Sequence, residues 1–240
     1  MIRDQVALIT GGAKGIGRQI ALAYAREGAR VALADIDRAR LRQTERELRQ
    51  IAEKTLIVEA DVRQEHQVRA LMARVVDHFG RIDILVNNAG IVPHFAWGLP
   101  RWPRVRDMDE VFWDRVISTN LGGTFLCTKH VLPSMESRRS GHIINLHGGG
   151  GPGSCAYVVS KDAIRTFTRF VAEEEREYEI CILAVAPGSS IATEDAPDDV
   201  RARLPGPETL EQHFLLAAEA GMELSGRLVT VADGQLTAIS

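Results

Sequence analysis

The segment Val6-Ala7-Leu8-Ile9-Thr10-Gly11-Gly12-Ala13-Lys14-Gly15-Ile16-Gly17 passes from an apolar run through a glycine-rich turn into a helical pattern. Val6–Ile9 has the length and character of a buried strand, and from Gly15 to Glu27 apolar residues recur at helical spacing. Glycine between a strand and a helix lets the backbone come close to a phosphate, whose charge then meets the free N–H groups of the first helical turn. Glycine-rich turns also arise for structural reasons alone. Here the strand before and the amphipathic helix after supply the context that the phosphate reading requires.

The same alternation continues along the 240-residue chain. Strands are expected at Val6–Ile9, Arg30–Ala34, Thr55–Glu59, Ile84–Val86, Gly141–Leu146, Ile180–Ala184 and Leu228–Val231. Helices are expected at Gly15–Glu27, Arg38–Glu53, Gln64–Phe79, Met108–Ser137 and Ala156–Tyr178. Most strand segments are continuously apolar, as where both faces of a parallel sheet are covered. This β-α-β-α order implies an α/β fold, a doubly wound parallel sheet with helices on both faces and right-handed crossovers. No repeat, low-complexity tract or linker divides the chain, so residues 1–240 read as a single domain. Loops that follow strands build the binding edge of such a sheet, which places there two irregular stretches, 92–107 and 189–207.

Hydrophobic residues make up 45% of the chain and charged residues 25%, with 29 basic against 32 acidic side chains and a formal charge of −3. The two signs are interleaved, which offers nothing to nucleic acid or to an anionic membrane surface. Cys127, Cys155 and Cys181 form no CxxC pair and are too few for a disulfide framework. Little chain precedes Val6 to serve as a signal peptide, and no apolar run has membrane-spanning length, so a cytoplasmic location is expected. His66, His78, His130, His142 and His213 show no ligand spacing, and no metal is expected.

Asp35 closes the second strand about 20 residues past the glycines, where a carboxylate accepts hydrogen bonds from the adenosine ribose of a dinucleotide. Asp37 adds negative charge that would repel a 2′-phosphate, which favours NAD over NADP. Lys14 points the other way, either as a partner for a 2′-phosphate or as a solvated turn residue.

With these residues in place the chain resembles the short-chain dehydrogenase/reductase family from Val6 to about Val231, which implies a Rossmann-type fold. Thr10–Gly17 resembles the family's TGxxxGxG turn, and Asp61-Val62 the pair that contacts the adenine ring. Asn87-Asn88-Ala89-Gly90 resembles its NNAG segment, and Asn120 the asparagine that holds a water for proton relay. Tyr157 and Lys161 match its YxxxK pair. Pro187-Gly188 looks like the start of the nicotinamide-side loop, with Thr193 one residue further along than usual. The resemblance implies a cofactor site of Gly11, Ala13, Lys14, Gly15, Ile16, Gly17, Asp35, Ile36, Asp61, Val62, Asn88, Ala89, Gly90, Tyr157, Lys161, Pro187, Gly188 and Thr193.

Positions i and i+4 share a helix face, so Tyr157 and Lys161 are expected to project into one site. A nearby ammonium is expected to lower the phenol's pKa and ready it for proton exchange with an alcohol or carbonyl oxygen. The family's usual catalytic serine is missing: its expected positions hold His147 and Gly148, ahead of a shortened, glycine-rich loop. Three accounts stand open. Ser154 takes over as donor; His147 donates from its imidazole; or oxygen stabilisation is weak and turnover slow. Ser154 is equally suited to capping the helix that carries Tyr157.

Within 92–107, the run from His94 to Arg104 is rich in Trp, Pro and Arg. It reads either as a pocket wall for a partly apolar, anionic substrate or as a stiff loop pinned by its tryptophans. The segment 189–207 is expected to act as a lid, with Glu194-Asp195 and Asp198-Asp199 as a solvated helix start. The resemblance implies a homodimer or homotetramer built on the two long helices. The function implied is NAD-dependent interconversion of a secondary alcohol and a ketone on a small-molecule substrate. The alternatives are an NAD-binding regulatory protein and a non-redox relative with impaired turnover.

Overall fold

The computed structural model describes residues 2–52, 54–92, 103–148 and 154–239. The strands are β1 (Val6–Thr10), β2 (Arg30–Asp35), β3 (Thr55–Glu59), β4 (Ile84–Asn87), β5 (Gly141–Leu146), β6 (Ile180–Val185), β7 (Leu228–Ala232) and β8 (Gln235–Ile239). They form one sheet in the order β3-β2-β1-β4-β5-β6-β7-β8. Around it lie α1 (Gly15–Arg26), α2 (Arg38–Leu48), α3 (Glu65–Phe79), α4 (Glu110–Ile117), α5 (Gly123–Glu136), α6 (Cys155–Glu174), α7 (Asp198–Arg201) and α8 (Glu211–Ala217).

Alternation along each strand divides the core into two. Ala7 and Ile9 of β1 join Leu33, Val86, Ile144 and Leu183 against α1 and α8, where Ile20, Tyr24 and Phe214 are buried. Val6 and Leu8 join Ala32, Leu85, Ile143 and Ile182 against α3 and α5, where Leu71, Val75, Cys127 and Val131 are buried. β1 and β6 have every residue buried, the signature of a sheet covered on both faces. This is the expected Rossmann-type α/β architecture.

Three expectations are corrected. The sheet is not wholly parallel, because β8 pairs antiparallel with β7. The hairpin turns at Asp233-Gly234, both at positive φ (50° and 75°), a signal present in the sequence as Asp-Gly. β8 was missed because it is an edge strand, mostly exposed, with no continuous apolar run. The second helix ends at Leu48, since Ile51 and Ala52 donate back to the Leu48 carbonyl and turn the chain toward β3. The helical pattern over 108–137 is two α-helices joined by a π-helical turn, Ser118–Gly122, which carries Asn120.

Buried polar links fix the sheet to its helices. Asn87 and Asn145 are register partners on β4 and β5, and the Asn87 amide donates to Asn145 Oδ1 (2.8 Å) and to Thr128 Oγ1 on α5 (3.1 Å). The Asn145 amide donates in turn to Thr168 Oγ1 on α6 (2.9 Å). At the end of β1, Thr10 Oγ1 accepts from the backbone N–H groups of Asn88 and Ala89, both at 3.1 Å, and donates to the Val86 carbonyl. Thr10→Val keeps the shape and removes this acceptor, leaving two N–H groups short of a partner. A loss of about 1–3 kcal/mol in unfolding free energy by urea titration is expected; an unchanged midpoint would refute the role given to Thr10.

Candidate active site

Strand order reverses between β1 and β4, which places the mouth of the site at the C-terminal ends of these strands. A cavity of about 600 Å³ opens there. Gly11 and Gly15 adopt φ of +66° and +56°, the left-handed region that glycine enters without strain. Gly17 has no room for a side chain, because a Cβ would overlap the Gly11 carbonyl and the Asn88 amide. That amide donates to the carbonyls of Thr10 and Gly11, each at 2.9 Å. The turn is thereby pinned to the NNAG segment.

Asp35, at the tip of β2, accepts from Ala13 N–H (3.1 Å) and Asp37 N–H (3.0 Å), so one carboxylate joins the glycine turn to the start of α2. Asp61 is chelated by the Arg63 guanidinium, which holds its carboxyl below the usual range. Of the residues expected at the cofactor, Gly11, Lys14, Gly15, Ile16, Asp35, Ile36, Asp61, Val62, Asn88, Ala89, Gly90, Tyr157, Lys161, Pro187 and Thr193 line the cavity. Ala13, Gly17 and Gly188 are not among the residues that line it.

Tyr157 and Lys161 stand on α6 with the ammonium 5.8 Å from the phenol ring centroid, and both line the cavity. Lys161 Nζ donates to the Leu146 carbonyl at the end of β5 (2.8 Å). Burial lowers its pKa to about 8 and pushes Tyr157 up to about 12. The expected lowering of the phenol's pKa is therefore not found in this state. Desolvation of the phenolate outweighs an ammonium that is itself destabilised by burial.

Gly148 explains the missing serine in atomic terms. A Cβ there would lie 2.7 Å from Tyr157 Oη and 2.9 Å from Lys161 Cγ, so this position faces the phenol hydroxyl and offers it no side-chain donor. His147 lines the cavity and has no side-chain hydrogen-bond partner among the described residues. Its nearest carboxylate, Asp162, is 3.8 Å away. Burial, reinforced by Lys161, lowers its pKa and favours the neutral ring, which still carries one N–H.

Ser154 is buried as the N-cap of α6, its Oγ accepting from Tyr157 N–H at 3.3 Å; it is absent from the described cavity wall. The geometry gives it the capping place. Asn120 is buried in the π-helical turn and also off the wall. Its side chain accepts from Ile91 N–H (2.8 Å) and donates to Ser160 Oγ (3.0 Å), while Ser160 donates to the Tyr157 carbonyl (2.7 Å). Asn120 thus braces the helix of Tyr157 against the strand β4 loop.

The acidic pair Glu194-Asp195 is no solvated helix start. Glu194 Oε2 accepts from Gly15 N–H (2.9 Å), and Asp195 pairs with Lys14 and with Arg40 (3.0 Å). Asp198 and Asp199 do begin α7. Ser190, Ile191 and Leu204, from the segment expected as a lid, also line the cavity. Arg63, Arg115 and Thr119 line it too and were not expected; they come from separate elements with no shared local motif. The run 93–102 and the glycines 149–151 lie outside the described residues, so the two readings of the aromatic insertion stand as they were. No helix among the described residues is long and apolar enough to cross a membrane.

Strand order, glycine turn and cavity together define a Rossmann-type α/β protein. A family model described as short chain dehydrogenase matches residues 5–199. Over 190 residues the chain is 38% identical to (2S)-[(R)-hydroxy(phenyl)methyl]succinyl-CoA dehydrogenase subunit BbsD of Thauera aromatica, covering 78% of this chain and 73% of that one. It is 33% identical to 3-oxoacyl-[acyl-carrier-protein] reductase FabG of Thermotoga maritima, over 97% of this chain and 98% of that one. The crystal structure of levodione reductase superposes with a TM-score of 0.86 at 28% identity, covering 98% of each chain. The chain belongs to the short-chain dehydrogenase family.

Two outcomes follow from this geometry. Ser154→Ala should cost about 1 kcal/mol of stability through the lost cap and leave turnover per folded molecule unchanged; a hundredfold fall in kcat would restore Ser154 as a donor. Lys161 titrates near 8 when folded against an ordinary 10.5, so between these values the unfolded chain binds more protons and stability rises with pH. Melting temperatures from pH 7.5 to 10 should climb in the wild type relative to Lys161→Met, and parallel curves would contradict the buried amine.

Proposed function

We propose that this protein is an NAD-dependent oxidoreductase that interconverts a secondary alcohol and a ketone on a small molecule. The observation that carries the reading is the Tyr157–Lys161 pair on the wall of a cavity that also holds the glycine turn and Asp35. The residues present fit a dinucleotide: a Cβ-free turn at the start of α1, an anion-accepting N–H at Gly15, and a carboxylate at the tip of β2. Asp35 with Asp37 favours NAD over NADP. Lys14 and Arg40, both paired with Asp195, are the nearby cations that point the other way.

When bound, the nicotinamide supplies the hydride to the carbonyl carbon or accepts it from the carbinol carbon. Tyr157 Oη gives the proton to the developing alkoxide, or removes it from the alcohol in the reverse direction. Lys161, anchored on the Leu146 carbonyl, holds positive charge beside the phenol and would orient the nicotinamide ribose. Asn120, through Ser160, fixes the helix on which both stand. With glycine at 148, the substrate oxygen lacks the family's serine, and His147 is the side chain best placed to donate in its stead. Loss of one such donor costs roughly a hundredfold or more in rate without abolishing it. Exposed Phe125 on α5 and Val158, Val159 and Phe170 on α6 support self-association through these two helices.

The test is oxidation of NADH and NADPH against a panel of ketones and diketones. NADH-linked turnover is expected to vanish in Tyr157→Phe and to fall in His147→Ala. Gly148→Ser, which sets a hydroxyl beside Tyr157 once both the phenol (2.7 Å from the new Cβ) and the Lys161 stem (2.9 Å) shift away, is expected to raise kcat about tenfold or more. Tight NADH binding without turnover on any substrate would favour the regulatory or non-redox reading.

A further inference from the structure

We propose that Glu194 and Asp195 act as an internal anion that occupies the phosphate seat, and that a dinucleotide binds by displacing them. This rests on the dinucleotide reading above.

Helix α1 begins at Gly15 with no capping hydrogen bond from the side chain of Lys14, so its first N–H groups need an acceptor from elsewhere. The acceptor comes from 179 residues away: Gly15 N–H donates to Glu194 Oε2 at 2.9 Å. The other oxygen of the same carboxylate lies 3.7 Å from the Arg18 guanidinium. The next residue, Asp195, bridges Lys14 and Arg40, the latter at 3.0 Å. Thr193 packs its methyl over Gly15, 3.0 Å from where a Cβ would be. Two adjacent carboxylates thus meet a helix-start N–H, two guanidiniums and an ammonium. That is the donor set two linked phosphates would seek.

The occupancy is exclusive, because an N–H aimed at a carboxylate oxygen cannot serve a phosphate oxygen in the same place. The segment is held as a closed strap: Ala192 N–H donates to the Pro205 carbonyl (2.9 Å), and Arg201 reaches the Glu194 carbonyl (3.3 Å). A ligand that requires the strap open has its apparent dissociation constant raised by the inverse of the open fraction. Release of Asp195 also frees Lys14 and Arg40 beside the bound anion. The strap therefore sets dinucleotide affinity while contributing nothing to the chemistry.

The experiment compares NADH dissociation constants, by the cofactor's fluorescence, in three full-length proteins: wild type, Glu194→Gln/Asp195→Asn, and Asp198→Asn/Asp199→Asn. The last makes the same charge change on exposed carboxylates that, among the described residues, pair with Arg201 and Arg203 of the strap. The seat variant should bind NADH about five- to tenfold more tightly than the wild type, and inorganic pyrophosphate should compete at correspondingly lower concentration. The Asp198/Asp199 variant should match the wild type. Equal NADH affinity in all three would overturn the strap and leave the dinucleotide reading standing. Equal tightening in both variants would also overturn it, by making net charge the cause. If none of the three binds NADH or NADPH, the dinucleotide reading falls and the strap with it.

Discussion

The Asn88 amide gives both its hydrogens to the first two carbonyls of the glycine turn, Thr10 and Gly11, at 2.9 Å each. That contact requires β1 and β4 to be neighbours, requires no side chain at Gly17, and requires positive φ at Gly11. Meeting these conditions leaves the N-terminus of α1 without a local cap, its first N–H taken by Glu194 from far along the chain. The rest of the site is arranged around that end. Asp35 reaches it from β2, the strap reaches it from beyond β6, and the cavity floor is the loop after β4.

At the other end of the cavity, burial creates a tension between two ionisable groups. Lys161 is buried and donates to the Leu146 carbonyl, and the half-buried Tyr157 packs its hydroxyl against Gly148. Low polarity disfavours both the ammonium and the phenolate, which pushes the amine down and the phenol up. Near pH 7 both groups therefore keep their protons, the phenol neutral and the ammonium carrying the pair's positive charge. Additional charge or a donor beside the hydroxyl would shift that balance toward phenolate. Gly148 is the position from which such a donor would act.

Much of the site was legible in the sequence because its parts are local. A glycine turn between a strand and a helix, an aspartate at a strand end, and a tyrosine and lysine four residues apart on a helix are short-range patterns with physical meaning. What escaped was long-range or masked by weak periodicity. β8 carried a recognisable Asp-Gly turn but an exposed, unpatterned strand. Ser154 had two readings, and only the backbone geometry of α6 made it a cap. Glu194 and Asp195 looked like a solvated acidic run until the fold brought them onto Gly15, Lys14 and Arg40.

By itself the sequence determined the layered α/β plan, the glycine turn between β1 and α1, and the placing of Tyr157 and Lys161 on one helix face. These follow from periodicity, steric freedom at glycine and helix spacing, all properties of neighbouring residues. The tertiary structure alone decided the protonation balance of the Tyr157–Lys161 pair, the role of Ser154, and the anion that sits on the start of α1. Each of those depends on desolvation or on charges brought together across more than a hundred residues, and neither burial nor long-range electrostatics can be read until the chain has folded.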